Sequence, residues 1–196
     1  MSAPRPPADF ASRTLPLITL DGGVETHRFH NAAFGPTYYD KSDAGRLNAP
    51  AGEYGVLYVA EKIDGAFAES FLRTPGATLL AQSFIDAKAY ARLAWTRPLK
   101  LAQMYGQGLA LLGATAEITH GSTPYDASYE WSKAVHDHPE QPDGIAYRSR
   151  HDDDQLCYAV FDRAASDGVE AHRDAALDAD WFYELMLGYR VHLSPV

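Results

Sequence analysis

The sequence predicts a mixed α+β fold in a single domain. Candidate strands outnumber candidate helices, and they follow one another in irregular order, without the strand–helix alternation that builds a parallel α/β sheet. The chain has 196 residues, which is short for two domains that would each have to bury a core. Hydrophobic residues make up 46% of it and charged residues 22%, so the composition is that of a folded globule and not of a disordered chain.

Two stretches without apolar periodicity stand out in the first third of the chain. Residues 1–14 contain three prolines, two arginines and small residues, which predicts a flexible leader ahead of one domain spanning 15–196. Residues 31–53 are rich in Asn, Gly, Pro and Asp and predict a long irregular segment. Long ordered loops of this kind in compact domains are often functional.

The strands are predicted from alternating apolar residues, from β-branched and aromatic side chains, and from boundaries at Gly, Pro or Asp. In chain order they are 24–30, 55–60, 76–84, 99–104, 145–148, 156–162 and 189–193. A short apolar run at 15–20 precedes a turn. Residues 87–94 fit a strand and a helix equally well, so their pattern leaves both open.

Four short helices are predicted from apolar residues at helical spacing. They cover 65–73, 109–112, 125–136 and 180–187. Asp64 is the expected N-cap of the first helix, and Gly113 is expected to close the second.

Charge and cysteine content exclude several classes of function. The net charge of −9 argues against nucleic-acid binding and against docking on an anionic membrane, because both need clustered Lys and Arg. A lone cysteine, Cys157, allows neither a disulfide framework nor a thiolate metal cluster within the chain. No apolar run approaches the ~18 residues of a membrane span, and the N-terminus lacks the apolar core of a signal peptide. We expect a soluble, cytoplasmic protein.

Motifs of common cofactor and metal sites are incomplete. Gly106 and Gly108 follow a strand as in a dinucleotide-binding loop, but Leu111 stands where the third glycine is required. The histidine pairs lack the helical i, i+4 spacing and the glutamate of a zinc hydrolase. The loop around Gly106 and Gly108 is therefore predicted to be a turn with a helix cap. No metal site is predicted.

What remains is a set of separated polar and aromatic residues, each of which has an ordinary structural explanation when taken alone. They are Arg28 on a strand, Arg46 and Asn48 in a turn, Tyr58 in the best strand, Glu69 on the following helix, and Tyr147 and Ser149 at the end of a late strand.

The order of these pieces resembles the RES domain family, which is named for an Arg, a Glu and a Ser. The matching pieces are His27-Arg28-Phe29-His30, the Gly45-Arg46-Leu47-Asn48-Ala49-Pro50 turn, the 55–60 strand, Ala66-Phe67-Ala68-Glu69, residues 99–101, 112–113 and 129–134, Tyr147-Arg148-Ser149-Arg150 with the residues just before it, and 159–161. The resemblance covers about 24–162. Leu47, Lys100 and Arg148 depart from the residues usual in the family.

This resemblance implies a fold similar to ADP-ribosyltransferase toxins, with a split, mostly antiparallel sheet. It implies the toxin of a toxin–antitoxin pair that destroys NAD⁺ by cleaving its nicotinamide–ribose bond. NAD⁺ is then the substrate, and neither a metal nor another cofactor is needed. The implied partner is an Xre-type helix-turn-helix antitoxin whose C-terminal portion blocks the pocket.

Each matching residue receives a role from the resemblance and from the chemistry of NAD⁺. Glu69, Arg28 and Ser149 are the expected catalytic residues, and Arg46, Tyr58, Asn48 and Tyr147 the expected substrate-binding residues. Arginine forks suit pyrophosphate, an aromatic face suits nicotinamide, and a carboxylate stabilises the cation that develops on the ribose. Ser149 is expected to hold the ribose or to support Glu69.

Two alternatives stay open. Transfer of ADP-ribose to a host protein, or to phosphate, would use the same residues. A non-catalytic module that keeps the fold and binds a partner protein is the second alternative, because three family positions are substituted.

Overall fold

Eight strands form one curled, mostly antiparallel sheet in the computed structural model, which describes residues 3–195. The described residues contain ten strands in all: β1 (Leu17–Leu20), β2 (Glu25–Asn31), β3 (Val56–Ala60), β4 (Leu79–Leu80), β5 (Lys88–Trp95), β6 (Leu99–Gln103), β7 (Gly144–Arg148), β8 (Leu156–Phe161), β9 (Gly168–Asp174) and β10 (His192–Leu193). The large sheet has the order β1-β6-β7-β8-β3-β2-β5-β9, and within it only β6 and β7 run parallel. β4 and β10 form a separate parallel pair. The predicted α+β fold class is confirmed.

Six short α-helices accompany the sheet within the described residues. They are α1 (Ile63–Phe71), α2 (Gln82–Asp86), α3 (Gln107–Leu112), α4 (Glu117–His120), α5 (Asp126–His136) and α6 (Asp180–Gly188). Gly113 ends α3 in the left-handed conformation, as its position in the sequence predicted. No helix within residues 3–195 is both long enough and apolar enough to cross a bilayer.

Three sequence predictions of secondary structure were wrong. The strand predicted at 76–84 is reduced to β4 and followed by α2, because its apolar Leu79 is exposed and marks no core position. The strand predicted at 189–193 is reduced to β10. Asp64 is not the N-cap of α1, since the helix begins at Ile63 after Lys62 and Asp64 lies in its first turn. A carboxylate there still favours the helix through the macrodipole.

β9 was missed, and 87–94 is a strand. β9 lies at the edge of the sheet with mostly exposed side chains, so it carries no apolar alternation that a sequence pattern would register. β5 lies between β2 and β9, and its pairing with both neighbours settles the ambiguity in favour of a strand.

The sheet opens between β2 and β3. These strands pair at one position, His27 with Ala60, and then diverge. Further along β3, Val56 pairs instead with Asp40 of the 31–53 segment through two backbone hydrogen bonds of 2.9 Å. The opening leaves backbone groups of β3 free for side chains and forms the floor of a cleft.

Alternate residues of the sheet face two apolar clusters. On β3, Val56, Tyr58 and Ala60 belong to the cluster that packs against the helices, whereas Leu57 and Val59 belong to the cluster on the other face. This alternation places Tyr58 on the helix side.

The described part of the segment predicted to be a flexible leader, residues 3–14, packs against the domain through Phe10. Phe10 is 4% exposed and meets Trp131 of α5 edge-to-face at 5.3 Å between ring centroids. The indole Nε1 of Trp131 donates a hydrogen bond of 2.7 Å to the carbonyl of Pro4. The structure therefore differs from the prediction, because one buried aromatic ring and its contacts offset the conformational entropy of a proline-rich segment.

Replacing Phe10 with alanine is expected to lower the free energy of unfolding by about 3 kcal/mol, since a fully buried aromatic ring is lost. Urea denaturation measures the change. Leu187→Ala, at a side chain that is 60% exposed, serves as the control and is expected to shift stability by less than about 0.5 kcal/mol. Equal effects of the two variants would contradict the packed arrangement.

Candidate active site

A cleft of about 790 Å³ opens where β2 and β3 diverge. Its walls come from β2, β3, α1 and the 31–53 segment, and its volume is that of a typical small-molecule site. Its cationic lining residues are Arg28, Arg46, Arg73 and Lys88, and its acidic ones are Asp40 and Glu69. The cleft thus carries a positive excess within a chain whose net charge is −9.

The carboxylate of Glu69 is held from both sides. Ser149 Oγ donates a hydrogen bond of 2.7 Å to Oε1, and the hydroxyl of Tyr147 donates one of 3.3 Å to Oε2. Phe67 and Phe71 anchor α1 in the core, and Glu69, between them in the sequence, lines the cleft. The carboxylate is therefore presented to the cleft in a fixed orientation.

Ser149 contacts Glu69 and does not line the cleft. Its side chain is fully buried and is not part of the cleft lining. Its Oγ also accepts a hydrogen bond of 3.2 Å from the backbone N–H of His151, while its own N–H donates to the carbonyl of Gln155. These bonds fix the loop after β7 and hold Ser149 behind the carboxylate of Glu69.

Tyr147 is a protonated donor to the carboxylate. Burial, and then the neighbouring charge of Glu69, raise the pKa of Tyr147 well above its usual value. Its ring lines the cleft. Its hydroxyl hydrogen therefore stays available to Glu69 across the physiological range.

Arg28 fills the opening of the sheet. Its Nη1 donates to the carbonyl of Tyr58 at 3.4 Å and its Nη2 to the carbonyl of Tyr38 at 3.3 Å. Its Nε is buried without a partner, and no ion pair to Arg28 occurs among the described residues. Burial lowers the pKa of Arg28 to about 10, which leaves it charged at neutral pH. A desolvated cation without a carboxylate partner is suited to an anionic ligand.

Arg46 joins the 45–50 turn to a distant loop. Its Nη1 donates to the carbonyl of Thr119 at 2.6 Å and its Nε to that of Gly121 at 3.1 Å. Its guanidinium lies 5.4 Å from the ring centroid of Tyr125. Arg46 lines the cleft with its orientation already fixed by the protein.

Asn48 does not reach the cleft, which corrects its predicted role as a substrate-binding residue. It is fully buried, and its Nδ2 donates to Asp40 Oδ2 at 2.9 Å and to the carbonyl of Ser42 at 2.8 Å. Its Oδ1 accepts a hydrogen bond of 2.9 Å from the hydroxyl of Tyr58. With these groups bonded within the protein, Asn48 holds the turn that carries Arg46.

Tyr58 both supports the 45–50 turn through its hydroxyl and lines the cleft. Its hydroxyl donates to Asn48 and accepts a hydrogen bond of 2.9 Å from the N–H of Leu47. Its side chain lines the cleft, where the predicted stacking on a nicotinamide ring requires it. Burial raises the pKa of Tyr58, so the hydroxyl remains a donor.

Gly45 is the position where this turn requires glycine. A Cβ there would lie 2.3 Å from Asn48 Oδ1 and 2.7 Å from the hydroxyl of Tyr58. Gly45→Ala is expected to break the hydrogen bond between Asn48 and Tyr58, to lower stability by about 1–3 kcal/mol and to displace Arg46. Thermal unfolding measures the first effect. Gly35→Ala, in the same segment with no atom within 4 Å of its Cβ, is the control. A Tm equal to that of Gly35→Ala would contradict this account.

Sequence reasoning missed several titratable residues of the cleft, among them Arg73 and His151. Arg73 lies four residues after Glu69, a spacing that places both side chains on one side of the helix predicted over 65–73, although α1 itself ends at Phe71. His151 follows Ser149 by two residues in a polar loop. Burial, partly opposed by Glu69 and reinforced by Arg150, lowers the pKa of His151, so the imidazole is neutral at pH 7.

Of the seven predicted residues, the structure brings six to one place. Arg28, Arg46, Tyr58, Glu69 and Tyr147 line the cleft, and Ser149 bonds Glu69 from behind.

Two of the three departures from the family pattern lie outside the cleft. Arg148 donates to the carbonyl of Asp154 at 2.8 Å, and Lys100 Nζ donates to the carbonyl of Glu140 at 3.1 Å. Leu47 is a buried residue of the cleft wall. The substitutions thus leave Arg28, Glu69 and their hydrogen-bond partners in place.

Comparisons with known proteins bear on the fold and the family of this chain. A solved structure described as the M. tuberculosis MbcT–MbcA toxin–antitoxin complex contains a chain with a TM-score of 0.68 to this one, at 13% sequence identity. The alignment covers 86% of this chain and 92% of that one, and it shows a shared fold. A comparison with curated protein sequences gave no match. The family model described as RES domain matches residues 23–183. Because that match spans most of the sequence and includes every residue of the site, the chain belongs to the RES domain family.

Proposed function

We propose that this protein is the toxin of a toxin–antitoxin pair and that it cleaves the nicotinamide–ribose bond of NAD⁺. One observation carries the proposal. The Glu69 carboxylate, fixed by Ser149 and Tyr147, faces the same cleft as the Arg28 guanidinium, which has no carboxylate partner among the described residues. A cation for phosphate and an oriented carboxylate for a sugar are the two groups that this reaction needs.

Arg28 is the proposed clamp for the pyrophosphate. A planar guanidinium binds two phosphate oxygens at once, and a partly desolvated one binds them more strongly than an exposed one. The long bonds of Arg28 to two carbonyls, 3.3 and 3.4 Å, are weak enough to be shared with a ligand. Arg46 lines the same cleft and adds a second positive charge.

Glu69 is the proposed stabiliser of the reacting ribose. The bond from ribose C1′ to the nicotinamide nitrogen breaks with its electron pair on the ring nitrogen, so nicotinamide leaves neutral and needs no strong acid. Positive charge develops on the ribose, as in glycoside hydrolysis, and the fixed carboxylate stabilises it. An acceptor oxygen then bonds to C1′ and releases its proton; with water, the products are ADP-ribose, nicotinamide and one proton.

An antitoxin protein is the proposed partner. Support comes from the structural neighbour, whose description names a toxin–antitoxin complex, and from the family resemblance, which implies an Xre-type helix-turn-helix protein. Such a partner would inhibit by closing the cleft. The positive excess at the cleft suits an acidic or carboxylate-bearing segment of that partner.

Release of nicotinamide from NAD⁺ by the purified protein tests the proposal. With water as the acceptor, chromatography is expected to show nicotinamide and ADP-ribose in equal amounts; with phosphate as an acceptor, a phosphate ester of ADP-ribose replaces part or all of the ADP-ribose. Adenine-labelled NAD⁺ distinguishes the alternative of transfer, because label would then remain on a protein. No nicotinamide beyond that of a heat-denatured sample would refute cleavage.

A further inference from the structure

Three aromatic side chains remain exposed at one place. Phe34, Tyr38 and Phe84 are the aromatic members among the large apolar side chains that are exposed in the described part of the chain. All three line the cleft. The other exposed members of that set are aliphatic, and none of them lines it. Exposed aromatic rings are therefore concentrated at the cleft and not scattered over the surface.

Phe34 and Tyr38 form a stacked pair. Their ring centroids lie 4.7 Å apart with 15° between the planes. Phe34 is 48% exposed and Tyr38 42%, and neither belongs to an apolar cluster of the core. Two backbone turns, closed by the carbonyls of Asn31 and Gly35, present the pair. Because both rings are exposed and lie outside the core, they contribute little to the stability of the fold. The stacked pair offers a flat apolar face to a ligand.

The pair adjoins the proposed pyrophosphate clamp. The carbonyl of Tyr38 accepts the hydrogen bond from Arg28 Nη2, while Arg28 Nη1 reaches the carbonyl of Tyr58 on β3. The partners of Glu69, Tyr147 and Ser149, lie on and just after β7, two positions beyond β3 in the sheet order. Arg28 thus joins the turn that presents the aromatic pair to β3, on the side of the sheet order that leads to β7.

We propose that Phe34 and Tyr38 form a stacking platform for the adenine ring and make this site selective for a dinucleotide over a mononucleotide. The inference rests on the proposed cleavage of NAD⁺. In NAD⁺ the pyrophosphate lies between adenosine and nicotinamide riboside. With the scissile bond at Glu69 and the pyrophosphate at Arg28, the adenine end falls on the side of Phe34 and Tyr38.

The physical basis is base–aromatic stacking. An aromatic face that stacks a base contributes about ten- to a hundredfold in affinity, and it does so without hydrogen bonds to the base edge. The pair is already stacked, so its rings lose little freedom on binding. Selectivity then arises because nicotinamide mononucleotide, NMN, carries the scissile bond and one phosphate but has no adenine.

The experiment compares NAD⁺ with NMN as substrates. For the wild type and for Phe34→Ala, kcat/KM for nicotinamide release is measured with each substrate. The kcat/KM for NAD⁺ divided by the kcat/KM for NMN is expected to be about tenfold or more lower in Phe34→Ala than in the wild type. Phe34→Tyr, which keeps an aromatic face, is expected to retain the wild-type ratio. Leu111→Ala, at a 62% exposed side chain outside the cleft, is the control for loss of exposed apolar area. Thermal unfolding verifies that the variants are folded.

A second measurement separates this inference from the proposed function. Binding of ADP-ribose and of ribose 5-phosphate is measured by calorimetry, which requires no turnover. If the wild type cleaves neither NAD⁺ nor NMN, cleavage is refuted; weaker binding of ADP-ribose by Phe34→Ala would then still support the platform. Unchanged substrate ratios together with unchanged ADP-ribose binding would overturn it. If Phe34→Ala leaves the substrate ratio and ADP-ribose binding unchanged but binds an antitoxin more weakly, the aromatic pair would be assigned to contact with the partner protein instead.

Discussion

Glu69→Gln is expected to lower kcat for nicotinamide release by about 10²–10⁴-fold and to leave KM nearly unchanged. The amide has the shape of the carboxylate, and its oxygen still accepts the hydrogen bond from Ser149. The negative charge is lost, and that charge matters most when the ribose, next to Glu69, becomes cationic in the transition state. The loss should therefore fall on kcat, and steady-state kinetics with NAD⁺ measures it.

Two further variants test this interpretation. Glu61→Gln removes an exposed acid just before α1 and is expected to keep wild-type kinetics. Ser149→Ala should lower kcat less than Glu69→Gln does, because the hydrogen bond from Tyr147 still holds the carboxylate. A KM that rises while kcat is preserved in Glu69→Gln would show that Glu69 binds the substrate and does not stabilise the transition state.

The sequence predicted which residues form the site better than it predicted which of them bond to one another and which face the cleft. Glu69 and Ser149 are 80 residues apart and share no local pattern, so no spacing rule joins them. Their grouping came from the ordered resemblance to a family. Their separation into a residue that faces the cleft and one that lies behind it required the structure. Asn48 illustrates the same limit, since a polar residue in a turn looks alike whether it points to a ligand or into the protein.

The features that the sequence did not predict depend on tertiary contacts. Phe10 becomes a core residue only because α5 places Trp131 beside it, and a proline-rich leader gives no sign of that partner. Phe34 and Tyr38 lie in a segment without periodicity, and only two turns bring their rings together. Periodic patterns report which face of a regular element is buried. They carry no information on irregular segments, where much of this site is built.

Arg28→Met is expected to weaken NAD⁺ binding by about 10- to 100-fold and at the same time to stabilise the free protein by about 1–2 kcal/mol. The side chain is half-buried, with a buried, unpartnered Nε and two long hydrogen bonds, and desolvation lowers its pKa to about 10. Its positive charge therefore opposes folding, whereas a methionine fills the volume without that desolvation cost. The two freed carbonyls, of Tyr38 and Tyr58, limit the gain.

Opposite changes in stability and affinity would identify Arg28 as a residue kept for binding at the expense of the fold. Thermal unfolding with and without NAD⁺ measures both, in a Glu69→Gln background so that the substrate persists. Arg92→Met is the matched control, because Arg92 is a half-exposed arginine of β5 whose Nη1 is already paired with Glu25 at 2.6 Å. The control should gain no stability and should keep the rise in Tm caused by NAD⁺, which Arg28→Met should lose. If Arg28→Met is destabilised and its Tm still rises with NAD⁺, the arginine supports the opening of the sheet and does not bind the ligand. Arg46 would then be the candidate for the phosphate clamp.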